Sequence, residues 1–201
     1  MSAAAVAGTL TYADLATRVK AATPRLGSVR LVCVDGPAGS GKSTLAARLA
    51  TRLGAGTSVL HLDDVYEGWA GLAGVAQRVA RDVLAPLARD EPAVYRTWDW
   101  THSRWGIQAR LTPAPVLLIE GCGAGDAVLA AYASLLLWVE APAPLRLSRG
   151  IDRDGAAMRD EWLRWTALEE QHFQAEGTRS RADLLIDGTL GDEERLTLLP
   201  G

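Results

Sequence analysis

Short, largely apolar runs recur along the chain and alternate with longer stretches in which apolar and polar residues mix. Apolar runs of roughly four to eight residues are typical of strands that are buried on both faces of a parallel sheet. Each run of this kind is therefore predicted to be a strand, and the runs lie at Val29–Val34, Val59–Leu62, Val116–Ile119, Leu135–Val139 and Ala182–Ile186.

The stretches between these runs carry apolar residues at helical spacing. In Lys42–Leu53, leucines and alanines recur every three or four residues, which places them on one face of a helix. Other segments are predicted from the same kind of pattern: helices at Tyr12–Ala22, Leu72–Arg89 and Ala127–Ala133, one long helix pattern at Pro144–Phe173, a short extended segment at Val94–Trp100, and a tail after Gly191 that is a final helix or irregular.

Strands separated by helices predict a parallel sheet with helices on both faces, because a parallel connection needs a crossover that is usually helical. We therefore predict a three-layer α/β fold with a parallel sheet of about five strands. A chain of 201 residues fits one domain of ordinary size. Residues 1–201 are accordingly predicted to form a single domain.

Composition and charge exclude several classes of protein. Hydrophobic residues make up 48% and charged residues 22% of the chain, as in an ordinary globular protein. The net charge of -3 argues against a nucleic-acid partner, because binding the phosphate backbone needs a concentrated basic surface. No apolar run approaches the roughly 20 residues that span a bilayer, and the first ten residues lack the basic start of a secretory signal. We therefore predict a cytoplasmic protein with no membrane partner.

The segment Gly36–Ser43 matches the phosphate-loop pattern G-x-x-x-x-G-K-[ST]. It lies between a predicted strand and a predicted helix, as the mechanism requires. Its glycines let backbone N–H groups point at nucleotide phosphates, while Lys42 reaches the β and γ oxygens and the Ser43 hydroxyl binds Mg²⁺. A glycine-rich turn that merely caps a helix is disfavoured, since one of only two lysines in the chain stands at the required position. The predicted ligands are ATP and Mg²⁺, with the nucleotide bound by Gly36, Pro37, Ala38, Gly39, Ser40, Gly41, Lys42, Ser43 and Thr44.

A phosphate loop alone does not separate a kinase from a GTP switch or an ATP-driven machine. The guanine-reading sequence Asn-Lys-x-Asp cannot occur, because the chain contains no Asn. The function classes that remain are a kinase, a regulatory or motor ATPase, and a kinase-like domain without turnover.

Carboxylates follow two of the predicted strands, at the sheet edge where parallel α/β folds bind ligands. Asp63 and Asp64 come after the second strand, and one of them is a candidate base for the proton of an acceptor hydroxyl. A solvated turn is the structural alternative. Glu120 ends another strand and precedes Gly121, a position at which a carboxylate meets Mg²⁺ directly or through water. Ser43 and Glu120 are therefore the predicted metal ligands.

Two further segments are candidates for binding. Tyr95–Trp105 concentrates aromatic rings, one His and two Arg in a chain with only 6% aromatic residues. This is typical of a small-molecule pocket wall, although an aromatic mini-core under a loop would give the same pattern. The long helix pattern carries four arginines that partly share a face, as phosphate-clamping arginines would: Arg146, Arg149, Arg153 and Arg159. A solvated, salt-bridged face is the alternative.

The order of these motifs resembles that of the uridine kinase family of P-loop kinases and of its relatives among pantothenate, phosphoribulose and nicotinamide riboside kinases. Leu62–Tyr66 resembles the family's acidic D-x-[FV]-Y stretch, which implies that Asp63 is the base and that Tyr66 lies at the acceptor. Trp98–Arg104 is similar to Y-D-F-x-x-H-S-R. This likeness implies that the acceptor is faced by Trp98, Asp99, His102 and Arg104.

The likeness continues in the second half of the chain. Ile119–Gly121 resembles the family's E-G motif, and Gly177–Asp183 its P-T-K-x-x-A-D stretch. Arg146–Asp154 resembles the R-L-x-R-R-x-x-R-D lid. This implies a helical lid near residues 145–170, from which Arg149 and Arg153 act on the transferred phosphoryl group.

The sequence also departs from the family. Gly150 replaces the second Arg of the lid pair, Trp98 replaces a Tyr, and Glu67–Leu72 stands where the family has H-P-x-A-F-D, a segment that helps hold the ribose. The acceptor therefore need not be uridine. The phosphate loop with its flanks, Val34–Thr44, looks more like that of cytidylate kinases, so a nucleoside monophosphate also remains open.

The sequence thus predicts a P-loop NTPase fold and ATP-dependent transfer of the γ-phosphoryl group to a hydroxyl of a small metabolite, for example a nucleoside. The predicted catalytic residues are Lys42, Asp63, Arg149 and Arg153. The expected partners are ATP and a small-molecule acceptor, and a homo-oligomer is left open. Cys33 and Cys122 lie in or beside apolar runs and are predicted to be buried thiols.

Overall fold

The computed structural model describes residues 8–189 and 192–200. Its strands are β1 (Gly8–Thr11), β2 (Arg30–Asp35), β3 (Thr57–His61), β4 (Ala93–Asp99), β5 (Arg104–Leu111), β6 (Val116–Glu120), β7 (Ala133–Glu140), β8 (Leu184–Asp187) and β9 (Arg195–Leu198). Its α-helices are α1 (Tyr12–Ala21), α2 (Lys42–Leu53), α3 (Val75–Val79), α4 (Ala85–Leu87), α5 (Ala127–Ala130), α6 (Ala143–Asp154), α7 (Arg159–Glu176) and α8 (Thr178–Arg181).

Seven strands form one sheet in the order β1-β9-β8-β7-β2-β6-β3. The five from β8 to β3 run parallel and are the five predicted from the sequence. Side chains of β2 alternate between two buried clusters, with Leu31 and Cys33 on one face and Val32 and Val34 on the other. Helices cover both faces, so the predicted three-layer α/β fold is confirmed.

Of the remaining strands, β4 matches the extended segment predicted at Val94–Trp100, and the other three were not predicted. β9 and β1 pair antiparallel at one edge of the sheet, so the tail after Gly191 contains a strand and not the expected helix or irregular chain; residue 191 itself lies outside the described residues. β4 and β5 form a separate two-stranded hairpin. The hairpin is largely solvent-facing, and Arg104, Gln108 and Arg110 interrupt the apolar residues of β5. β5 therefore lacks the continuous apolar run that marks a buried strand.

The helical predictions need three corrections. The stretch predicted at Leu72–Arg89 is helical from Val75 to Leu87, with a π-helical turn at Ala80–Leu84 between α3 and α4. α5 is shorter than predicted, because the chain turns into β7 at Ala133. The predicted long helix is two helices, since Gly155 adopts a φ of 93° that side chains rarely allow, and a 3₁₀ turn at Ala156–Met158 joins α6 to α7.

The packing around Gly150 explains why this position of α6 is not the arginine of the family's lid motif. An added Cβ at this position would lie 2.4 Å from the ring of Trp162 on α7, so the two helices meet at this glycine and leave no room for a side chain.

Replacing Gly150 by Ala should therefore destabilise the protein by about 1–3 kcal/mol, the usual cost of overpacking a close contact. Urea unfolding measures this, with Ser148→Ala on the exposed side of α6 as the control. Equal stability of the two variants would show that the helices separate without cost.

Within residues 8–189 and 192–200, no helix combines the length and apolarity that crossing a membrane requires.

Candidate active site

A cleft of about 710 Å³ opens at the C-terminal ends of the parallel strands. One wall is the phosphate loop between β2 and α2, and the opposite wall comes from α6 and α7. The carboxylates that follow β3 and end β6 lie between these walls. The position agrees with the rule that open α/β sheets bind ligands beyond the carboxyl ends of their strands.

The phosphate loop has the backbone that its glycines predict. Gly39 and Gly41 have φ values of 76° and 103°, and an added Cβ at Gly39 would lie 2.5 Å from the carbonyl oxygen of Arg146. No side chain caps α2 at Gly41, so the first N–H groups of this helix remain suited to an anion. Lys42, Ser43 and Thr44 line the cleft. These residues fit the phosphates of a nucleotide.

Lys42 is folded back onto its own loop. Its Nζ donates hydrogen bonds to the carbonyl oxygens of Gly36 and Pro37, at 2.7 and 2.8 Å, and the residue is only 7% exposed. Burial alone would lower the pKa of Lys42, but the surrounding Cys122, Glu120, Glu169 and Asp35 outweigh it and raise the pKa. The ammonium group therefore stays charged where phosphates would bind.

Asp35 supports the loop from below and was not predicted as a site residue. Its carboxylate is fully buried and accepts hydrogen bonds from the N–H groups of Gly36, Gly123 and Gly125, at 2.7–2.9 Å. Burial raises the pKa of Asp35 to about 6, against the opposing effect of these N–H groups and Lys42. The carboxylate ties the phosphate loop to the loop that follows β6.

Glu120 lies beside Ser43, as the predicted metal site requires. The carboxylate is buried, and its Oε1 is 2.6 Å from Nδ1 of His61. Burial favours the neutral form, but His61, Lys42 and the Ser43 hydroxyl outweigh it and lower the pKa of Glu120. In the described residues no group of three His, Cys, Asp or Glu could hold a metal, so Mg²⁺ here would take further ligands from phosphate oxygens and water.

Asp63 lines the cleft together with Lys42 and Glu120. Asp63 keeps an exposed surface, but partial desolvation by the cleft walls and the charge of Glu120 raise the pKa of Asp63, while Lys42 and Arg153 oppose the rise. A raised pKa makes a carboxylate a better proton acceptor near neutral pH. Asp64 also borders the cleft.

Both predicted lid arginines border the cleft. Arg149 donates to the carbonyl oxygens of Gly39 and Gly188, at 3.2 and 2.9 Å. Arg153 pairs with Asp154 at 2.7 Å, and its pKa is raised first by that partner and further by Asp63 and Glu120. α6 therefore presents two guanidinium groups to the phosphate loop and the carboxylates.

Glu169 on α7 contacts the phosphate loop and was not predicted from the sequence. It is 2% exposed; its Oε2 accepts the N–H of Ala38 at 2.8 Å, and its Oε1 pairs with Arg146 at 2.8 Å. Arg146 also donates to the carbonyl oxygen of Ala38 at 3.3 Å. The N–H and the carbonyl oxygen of Ala38 are thus both hydrogen-bonded by side chains of α6 and α7.

Glu169→Gln should lower stability by about 1–3 kcal/mol, because Arg146 loses a buried charged partner. If the contact also holds the loop in shape, the KM for ATP should rise more than kcat falls. Thermal unfolding and steady-state kinetics measure the two effects, with the exposed neighbour Glu170→Gln as the control. A loss of stability with an unchanged KM would leave Glu169 a purely structural residue.

The predicted acceptor residues are only partly in the cleft. Tyr66 borders it, and its hydroxyl donates to the carbonyl oxygen of Cys122 at 2.7 Å. The other four do not line the cleft and lie on the hairpin or its turn. The ring of Trp98 packs edge-on against Trp105 at 5.2 Å, and Asp99 Oδ2 lies 2.8 Å from His102 Nδ1. Arg104 faces a separate shallow surface beside Asp99.

Four other aromatic residues line the cleft instead. Trp100 belongs to the predicted aromatic segment, but it begins the turn after β4 and so leaves the alternation of the strand. Trp69 precedes α3, whereas Trp162 and Trp165 lie three residues apart on α7. The usable sequence signal was the excess of tryptophan, with seven in the chain, together with the spacing of the last two.

Comparison of the sequence with protein-family models gives no match, and comparison with curated proteins gives none either. Several solved structures are similar to this one, and they include the following two. A "possible uridine kinase" from Bacillus stearothermophilus is 18% identical with a TM-score of 0.64, over 87% of this chain and 96% of that one. A "putative fructose transport system kinase" from Silicibacter sp. TM1040 is 22% identical with a TM-score of 0.62, over 83% of this chain and 95% of that one. The chain therefore has the fold of P-loop kinases, and the predicted likeness to uridine kinases is confirmed for the fold.

Proposed function

We propose that this protein catalyses ATP-dependent transfer of the γ-phosphoryl group to a hydroxyl of a small metabolite. The observation that carries the proposal is the meeting of Lys42, Ser43, Asp63 and Glu120 in one cleft that α6 borders with Arg149 and Arg153. A phosphate loop, a metal-binding pair, a base and cationic groups are the parts that phosphoryl transfer needs.

Each group has one task in this proposal. The phosphate loop and Lys42 hold the β- and γ-phosphates. Ser43 and Glu120 would hold Mg²⁺, which would supply positive charge against the phosphates. Asp63 accepts the proton of the acceptor hydroxyl as its oxygen attacks the γ-phosphorus. Arg149 and Arg153 stabilise negative charge on the transferred group. Most of the rate would then come from positioning and charge stabilisation.

The two similar structures support a kinase, since both are described as kinases. They do not identify the acceptor, because a shared fold hosts many substrates. Two features differ from the acceptor motif of uridine kinases. The segment Glu67–Leu72 has another sequence, and Trp98 and His102 lie on the hairpin outside the cleft.

A thermal-shift screen tests the proposal. Nucleosides, nucleoside monophosphates, vitamins and sugars are added singly, with Mg²⁺ and a non-hydrolysable ATP analogue. We expect the analogue to stabilise the protein only with Mg²⁺, and at least one compound to stabilise it further. Stabilisation by the analogue with no response to any compound would favour the regulatory ATPase. No response to the analogue would refute nucleotide binding.

A further inference from the structure

The part of the cleft next to Asp63 is walled by indole rings. Trp69 stands at the centre of this tryptophan wall, with its ring centroid 5.7 Å from Trp100, 6.5 Å from Trp162 and 6.1 Å from Trp165. All four residues border the cleft, as does Met158. The rings meet edge to face, an arrangement that is favourable beyond the area it buries.

Three polar groups along the tryptophan wall are engaged within the protein. The indole Nε1 of Trp100 donates to the carbonyl oxygen of Asp63 at 2.8 Å, and that of Trp162 donates to Asp154 at 2.9 Å. The hydroxyl of Tyr66 donates a hydrogen bond to the carbonyl oxygen of Cys122. Trp162 and Trp165 are only 4% and 5% exposed, so the wall offers a ligand mainly the ring surface of Trp69 and Trp100.

Groups suited to charged or hydrogen-bonding ligands lie on the phosphate loop, Glu120 and Arg149. Arg153 and Asp154 also border the tryptophan wall, with the guanidinium 5.6 Å from the Trp162 ring centroid, but they already pair with each other at 2.7 Å. A ligand with hydroxyls on every side would place several of them against the indoles without partners, and each unpaired polar group costs binding free energy. A flat apolar body would lose nothing there and would gain contact with the rings.

The base and the tryptophan wall are directly connected. Because Trp100 holds the backbone carbonyl of Asp63, a ligand body packed on this wall lies next to the carboxylate that would take its proton. A hydroxyl attached to that body is then adjacent to both Asp63 and the phosphate loop.

We infer that the acceptor is an aromatic alcohol, with one hydroxyl at Asp63 and a planar, mainly apolar ring system against the tryptophan wall; the inference rests on the kinase function proposed above. In the reaction the hydroxyl oxygen forms a bond to the γ-phosphorus, and the bond from that phosphorus to the β,γ-bridging oxygen breaks. The hydroxyl proton passes to the Asp63 carboxylate, and ADP leaves.

Calorimetric titration of the full chain tests the inference. The protein is first saturated with Mg²⁺ and a non-hydrolysable ATP analogue, and then titrated with 2-naphthylmethanol, uridine or fructose. We expect 2-naphthylmethanol to bind at least about tenfold more tightly than the two polar compounds. Trp69→Leu and Trp100→Leu should each weaken its binding by about tenfold or more, as loss of a tryptophan anchor does.

Trp105→Leu is the matched control, because Trp105 lies on the same hairpin as Trp100 but outside the cleft. It should leave binding of 2-naphthylmethanol unchanged. Trp100 is 41% exposed, so the test survives even if Trp69→Leu fails to fold.

Tighter binding of uridine or fructose would overturn the inference and leave the kinase proposal standing. Equal affinity of 2-naphthylmethanol for wild type and the two cleft variants would also overturn it. If those variants lose affinity for the ATP analogue instead, the tryptophans hold adenine and the inference is wrong. Failure of wild type to bind the analogue would refute the proposed function itself.

Discussion

Asp63→Asn should reduce kcat by about 10²- to 10⁴-fold, the contribution typical of general-base catalysis. Asn keeps the size of Asp and can still accept a hydrogen bond, but it cannot take the acceptor's proton. The affinity for ATP should barely change, because the phosphate loop is untouched. In wild type, kcat/KM should fall as the pH is lowered through the raised pKa of Asp63, since protonation removes the base; Asp63→Asn should lose this step.

Two comparisons make the result specific. Asp64→Asn changes the neighbouring carboxylate at the same cleft edge and should have a much smaller effect. If Asp63 instead acts by holding Mg²⁺ through water, added Mg²⁺ should restore much of the lost rate. Restoration by metal, or a larger loss in Asp64→Asn, would show that the base was assigned wrongly.

Lys42→Met should lower the turnover rate by about 10²- to 10³-fold or more, because one preorganised charge at the transferred phosphoryl group is lost. The aliphatic stem is kept, so packing changes little. Lys20→Met, which changes the only other lysine at an exposed position of α1, is the control. Turnover by Lys42→Met equal to that of the control would refute the nucleotide assignment.

Lys42→Met should also affect stability, because a buried lysine is surrounded by Asp35, Glu120 and Glu169. Removing the cation leaves these carboxylates to repel one another. The pKa of Asp35 is about 6, so this carboxyl is ionised mainly above that pH. The loss in thermal midpoint relative to wild type should therefore be larger near pH 8 than near pH 5. A loss independent of pH would mean that packing, and not charge, causes it.

The strands of the parallel sheet could be predicted because burial on both faces leaves an apolar run that is visible in the sequence. The site carboxylates followed from the same reasoning, since Asp63 and Glu120 stand just after such runs and parallel strands end at one edge. The phosphate loop adds a motif whose glycines have a backbone role. These features are all local in sequence.

The features that were missed depend on contacts between distant parts of the chain. Glu169 holds Ala38 across 131 residues, and no local pattern marks such a pair. The tryptophan wall is assembled from Trp69, Trp100 and two residues of α7. Of these, only Trp100 lay in the aromatic segment predicted from the sequence. Gly155 breaks the lid helix, although helical spacing of apolar residues continues on both sides. In each case the feature depends on how segments that are distant in sequence pack together, which local patterns do not record.

The most direct test of phosphoryl transfer follows the γ-phosphorus itself. The protein is incubated with Mg²⁺ and ATP labelled in the γ-phosphate, together with a mixture of hydroxyl-bearing metabolites, and the labelled products are separated. Our account predicts label in a phosphate monoester of one metabolite, and loss of that product in Asp63→Asn. Label found only in inorganic phosphate, at a rate that no metabolite changes, would contradict it and identify an ATPase.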